Sequence, residues 1–265
     1  MPFFRLSFTF TQDITMRFPL YLTLILAVGA FITTLLMKDI SSPVSPAMGT
    51  DRIRQAFAMI LDAGLWILKT PFALSVILFG MLFDGIIRMV ITLSSQYYRM
   101  IELPESIFGI LGSLVAMLGF VIPKLAGKLV ENYPVSYSLW ITVGLTFTGL
   151  VFMNFFWPYT GLIHALITFS AMYFTGFFVS YHLNKIASSE QRATILSFKG
   201  LAYNVSYGFL GILYVLILKT QKQGLESNDV RNMLFMDTFY WFPVTFLICF
   251  ILILIFYTFY LKPKP

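Results

Sequence analysis

Residues 72–93 read FALSVILFGMLFDGIIRMVITL. As a helix, this run extends for about 33 Å, enough to cross the roughly 30 Å hydrocarbon core of a bilayer. Only Asp84 and Arg88 interrupt it, four residues apart. The polar pattern continues beyond the run. Asp84, Arg88, Thr92, Ser95, Gln96 and Arg99 follow one helical face. A charge at membrane depth is costly, and residues that carry one face a cavity or a neighbouring helix. One turn apart, Asp84 and Arg88 can meet as an ion pair, which lowers the cost of both. The stretch predicts a membrane-spanning helix with one polar ridge turned away from lipid.

Six more apolar runs flank it, at 18–37, 106–122, 135–157, 159–183, 193–218 and 238–261. All are long and continuous, unlike the ten-residue alternations of a barrel, so the predicted fold is an all-α, polytopic transmembrane bundle of seven spans. The first run exceeds the 7–15 residues of a signal-peptide core and no small-x-small site follows it, so it reads as a retained span. Composition agrees: of 265 residues, 58% are hydrophobic and 11% charged, and mean hydropathy is +0.82. An average soluble domain is roughly a quarter charged. A soluble enzyme, a nucleic-acid binder and a disordered chain are excluded on that ground, despite the net charge of +6. The single cysteine, Cys249, rules out a disulfide framework within the chain.

Three segments follow: an N-terminal segment with the first span at 1–37, a linker at 38–71, and a six-helix bundle at 72–265. The linker opens with a Ser/Pro-rich stretch at 41–46. From Asp51 to Lys69, Ile53, Phe57, Ile60, Leu61, Gly64, Leu65 and Leu68 recur at helical spacing, with Thr50 or Asp51 as cap. This segment is either an amphipathic helix lying in the membrane interface or an extension of the second span. Eleven Lys and Arg residues, among them Lys38, Lys124, Lys128, Lys185, Arg192, Lys262 and Lys264, fall on one side of a seven-span topology; six, including Arg5, Arg99 and Lys222, fall on the other. The richer side is expected to be cytoplasmic, which puts the N-terminus outside the cell membrane and the C-terminus inside.

The spans differ in polarity. The second carries the charged ridge, the fifth aligns His164, Thr168, Thr175 and His182, and the sixth places Lys199, Tyr203, Ser206 and Tyr207 on one face. Gly109, Gly112, Ala116 and Gly119 in the third let helices approach closely. The first and last spans are apolar all round and are expected to face lipid. The phenylalanines, 29 in all, are expected mostly in lipid contact.

Two short segments add a family likeness. Gly127-Lys128-Leu129-Val130-Glu131-Asn132 follows the third span and is similar to the Gly-x-Leu-x-Asp-Arg loop motif of the major facilitator superfamily, with Asn132 where the arginine usually stands. Ser189-Glu190-Gln191-Arg192-Ala193-Thr194-Ile195-Leu196-Ser197 resembles the Arg-Ala-Thr-x-x-Ser segment of bacterial members, between helices ten and eleven. With the long linker, these features make the chain resemble the C-terminal half of such a transporter, helices six to twelve. The resemblance implies lipid-facing first, fourth and seventh spans. It implies loop-motif residues Gly127, Leu129, Glu131 and Arg192. It also implies a missing N-terminal half, either because the chain is a truncated fragment or because it works as a half-unit with a partner chain.

The expected function is secondary active transport of a small solute by alternating access, through a cavity lined by the second, third, fifth and sixth spans. A proton or another coupling ion, or the solute gradient itself, would drive it. Substrate-binding or proton-coupling candidates are Asp84, Arg88, Thr92, Gln96, His164 and Tyr203. His164 and His182 stand too far apart for one metal site and also read as packing histidines. Lys199 reads as a residue snorkelling to the cytoplasmic surface. The rival expectations are a truncated, non-transporting membrane scaffold and, less favoured, an intramembrane enzyme. No phosphate-binding glycine loop, zinc motif or nucleophile elbow occurs, so no enzymatic activity, cofactor or metal is expected.

Overall fold

The computed structural model describes residues 12–37, 50–189, 191–221 and 228–261. The Ser/Pro-rich stretch at 41–46, Glu190, and the charges Arg5, Lys38, Lys222, Lys262 and Lys264 lie outside them, as do the side chains of Thr50 and Asp51. Among the described residues all regular structure is helical.

The chain divides into two compact units, Met1–Asp51 and Arg52–Pro265. The first contains α1, Gln12–Leu36. Its apolar stretch, Leu20–Leu36, leaves every side chain exposed.

The second unit holds the rest of the fold. α2 spans Thr50–Lys69, α3 Pro71–Thr92, α4 Ser94–Met100, α5 Phe108–Asn132, α6 Val135–Met153, α7 Gly161–Ile186, α8 Arg192–Gln221 and α9 Asn228–Phe256, with a π-helical turn at Tyr257–Leu261. Six of them, α3 and α5 to α9, are long and apolar enough to cross a membrane. That is the makeup of a multi-pass helical membrane protein.

α2 is a helix of its own and does not extend the second span. Thr70 is extended, at φ −105° and ψ 99°, and Pro71 opens α3. A residue before proline is pushed out of the helical region, while proline suits the first helical position. Ala63 and Ile67 of α2 are buried in a cluster with Leu183 and Ile195, so one face of this helix packs on the bundle. Its opposite face, Phe57, Leu61, Leu65 and Leu68, is exposed.

The third span also differs from expectation. Its helix continues through Pro123 to Asn132. Proline removes one N–H from the ladder, and a helix of 25 residues tolerates that loss in a membrane protein. Gly127, Leu129 and Glu131 therefore lie on the last turns of α5 and not in a loop.

α3 is the central helix: 67% of its most apolar stretch is buried, against 6% for α8. It runs antiparallel to α7, with Phe72 against His182 at one end and, from α4, Tyr97 bonded to Gly161 at the other. It also runs antiparallel to α9, through ring pairs Phe79–Phe250 at 5.6 Å and Phe83–Phe246 at 5.4 Å. Phe235, Phe239, Phe242, Phe246 and Phe250 make one buried face of α9. The last span thus presents only its other face, with Leu247, Ile248, Ile251, Leu252 and Ile255, to the surroundings. α6 likewise buries Ser138, Thr142, Thr146 and Gly149, the last in close contact with Thr168 and His164 of α7. Lipid is as apolar as these side chains, so close packing and not water exclusion holds such faces together. Aromatic rings supply the contact area on α9; small residues supply the close approach on α6.

Candidate functional site

The spacing of four between Asp84 and Arg88 puts both on one face of α3, past the middle of the helix. The carboxylate is buried, and Arg88 Nη2 lies 2.6 Å from Asp84 Oδ2. That oxygen has no further hydrogen-bond partner. Arg88 Nη1 donates to Asn204 Oδ1 of α8 at 2.8 Å, and the guanidinium sits 5.5 Å from the Tyr207 ring centroid. The arginine therefore links its own carboxylate to two residues of α8, which stand near each other because asparagine and tyrosine are three apart on that helix.

Beside this pair is a cavity of about 560 Å³. α3 contributes Asp84 and Arg88; α5 contributes Pro123; α7 contributes Met172, Tyr173, Gly176, Phe177 and Ser180; α8 contributes Lys199, Gly200 and Tyr203. Gly176 and Gly200 have no side chains to fill the space, and nothing lies within 4 Å of where a Cβ would stand on either. Lys199 Nζ donates to Ser180 Oγ at 2.8 Å and lies 5.7 Å from the Tyr203 ring centroid. Tyr203 is one turn further along α8, and its ring leans back over Lys199. The Tyr203 hydroxyl is buried without a hydrogen-bond partner and fills the place a Cβ on Gly80 would need.

The rest of the ridge leads away from the cavity. Thr92 Oγ1 and Tyr207 Oη are 3.0 Å apart, and Gln96 Nε2 donates to Asn232 Oδ1 of α9 at 3.1 Å. Arg99 pairs with Glu105 at 2.7 Å. These contacts join helices; Thr92 and Gln96 do not line the cavity. His164 is not brought there either. It stands in the first turn of α7, about 12 Å along the axis from the nearest lining residue of that helix. Its ring stacks on Phe152 at 5.2 Å and lies 5.5 Å from Trp157, an aromatic packing site. Gly127 meets only the tip of Phe177, and Glu131 and Arg192 are exposed.

A second, smaller cavity of about 210 Å³ lies among α3, α6, α7 and the end of α9. Its walls are mostly apolar, with Ser138 and His182 contributing buried polar atoms that lack partners. Among the described residues no cluster of His, Cys, Asp and Glu is arranged to hold a metal ion.

Sequence reasoning read Lys199 as snorkelling to the surface and did not place it at the cavity; its shared face with Tyr203 was the available signal, and its bond to Ser180 on another helix was not legible. The chain matches no known protein-family model, no curated protein and no solved structure.

Proposed function

We propose that the chain is part of a secondary active transporter of the major facilitator type, moving a small solute by alternating access past Asp84 and Arg88. The observation that carries this reading is the open-sided cavity to which three ionisable side chains from two helices contribute between four spans. Ionisable groups at membrane depth mark solute and ion pathways. The four spans are the second, third, fifth and sixth, those left to line a cavity if α1, α6 and α9 take the places of the family's lipid-facing helices. In this reading α1 is the first of seven spans, the chain sits in the cell membrane with its N-terminus outside, and α2 lies in the cytoplasmic interface with Phe57, Leu61, Leu65 and Leu68 toward lipid.

The cavity is one-sided in this chain. Gly109 and Gly112 on α5 and Gly200, Gly208 and Gly211 on α8 have open space beside them. Small residues of this kind let a second bundle approach, and the family's helices one to five, from a preceding segment or a partner chain, would close the pathway together with α1. Asp84 would exchange its pairing with Arg88 for a proton, another coupling ion or the solute.

The test is uptake of candidate solutes by proteoliposomes that carry the protein of the complete reading frame, with and without a proton gradient. Gradient-dependent accumulation is expected. Normal insertion with no uptake of any solute would favour the scaffold reading.

A further inference from the structure

We propose that the cavity beside α3 takes a small oxyanion, a carboxylate or phosphate group, with Lys199 Nζ as its counter-charge. This deepens the solute-site reading of the cavity and rests on it. Three charged side chains line the space: Asp84, Arg88 and Lys199. The first two neutralise each other across 2.6 Å, and Arg88 is further held by Asn204 and Tyr207. Lys199 makes no ion pair within 4 Å among the described residues; the Asp84 carboxylate, already paired with Arg88, acts on it at longer range, and its hydrogen bond goes to the neutral Ser180. The three charges of the lining sum to one net positive charge.

An ammonium at membrane depth is costly unless water or an anion meets it. Lys199 has three N–H donors and uses one on Ser180, so two remain for a ligand. The Tyr203 ring, 5.7 Å from the ammonium at its centroid, forms a further wall of the same space. These groups suit an oxyanion, which accepts several charge-assisted hydrogen bonds. A cationic solute would meet Lys199 and would have to displace Arg88 from Asp84. A neutral solute would leave the lysine uncompensated once water is expelled.

The experiment measures binding of inorganic phosphate, succinate, choline and glucose to the purified full chain in nanodiscs of phosphatidylcholine. Phosphate or succinate is expected to bind, to shield Lys199 from an amine-acylating reagent in the unmodified protein, and to bind at least tenfold more weakly to Lys199→Gln. Lys199→Arg, which keeps the charge, should restore binding. In nanodiscs containing phosphatidylglycerol, Lys199-dependent retention of that lipid with no binding of soluble anions would assign the oxyanion to a headgroup and support the site. Unchanged binding to Lys199→Gln, an acylation rate at Lys199 indifferent to phosphate and to phosphatidylglycerol, or binding of choline alone would overturn the proposal. Lys199-dependent anion binding without uptake in proteoliposomes would keep this site and end the transporter reading. Uptake of a neutral or cationic solute untouched by Lys199→Gln would do the reverse.

Discussion

Arg88 Nη2 stands 2.6 Å from Asp84 Oδ2, one turn back on α3, while its other terminal nitrogen donates to Asn204 on α8 at 2.8 Å. One guanidinium thus fixes a carboxylate on its own helix and the rotation of a neighbouring one. Asp84 depends on it, because the carboxylate is nearly enclosed at 7% side-chain exposure while the arginine keeps 29%.

That asymmetry sets the first prediction. Removing one member of a buried pair leaves the other uncompensated and costs about 3–5 kcal/mol when both are fully enclosed. Asp84→Asn leaves the half-open Arg88, which still has Asn204, so the cost is about 1–2 kcal/mol. Arg88→Gln strands the enclosed carboxylate and costs more. The double variant, which strands no charge, should lose well under the sum of the two, and thermal unfolding in detergent measures all three. Additive losses would show that the pair is not coupled. Under the proposed function, Asp84→Asn also abolishes proton-driven uptake while insertion stays normal.

The second prediction concerns α6 and α7. A Cβ on Gly149 would meet the Thr168 hydroxyl and, behind it, backbone: the Thr168 nitrogen at 3.0 Å and the His164 carbonyl oxygen at 3.2 Å. Backbone in a packed helix does not yield cheaply. Gly149→Ala should cost about 1–3 kcal/mol by over-packing. Gly144, on the same helix with nothing within 4 Å, is the control, and Gly144→Ala should change stability by less than about 0.5 kcal/mol. Equal melting temperatures for the two variants would argue against the close approach.

These contacts show how far the sequence was legible. Long apolar runs give the spans directly, because a bilayer demands both length and apolarity. The pairing of Asp84 with Arg88 was legible because it is local, one turn of one helix. Contacts between helices were not. Thr92 and Gln96 belong to the same ridge by periodicity, yet one meets Tyr207 and the other Asn232. Periodicity fixes a face and says nothing of what covers it. The buried rings of α9 show the same limit: in lipid, an apolar side chain against protein and one against acyl chains have the same chemistry, so Phe246 and Leu252 look alike in the sequence while only Phe246 is in the core. Pro123 misled for a different reason, since the signal that ends a soluble helix is tolerated within a membrane one.

The third prediction is a pH dependence outside the spans. Tyr97 on α4 is wholly buried, and its hydroxyl donates to the Gly161 carbonyl oxygen at 3.2 Å. Burial, and to a lesser degree the neighbouring Tyr98, pushes its phenol above the ordinary value of 10.0. Burial raises Tyr98 as well, against a hydrogen bond from Ser94 that lowers it. A raised phenol means that the unfolded chain releases its proton first. The stability is intact below pH 10 and falls as pH rises from there through the folded-state value. Tyr97→Phe should lose about 1 kcal/mol at neutral pH with its hydrogen bond. It should also make the decline above pH 10 shallower. Melting curves against pH check both; a decline as steep as in the unmodified protein would remove Tyr97 as its source.

The fourth prediction tests orientation, and the composition makes it practical. Cys249 is the single cysteine, so Cys249→Ala gives a background free of thiols. Ser106 and Thr160 lie at exposed positions before α5 and α7, while Ser136 and Ser189 lie at exposed positions at the start of α6 and after α7. With α5, α6 and α7 each crossing once, the first two residues fall on one side of the membrane and the last two on the other. Under the orientation proposed from the lysine and arginine bias, Ser106 and Thr160 are outside. Ser106→Cys and Thr160→Cys, each in that background, should react with a membrane-impermeant maleimide on intact cells. Ser136→Cys and Ser189→Cys should react only after the membrane is opened. The opposite pattern would invert the topology, and mixed labelling within either pair would show that these helices do not each cross the bilayer once.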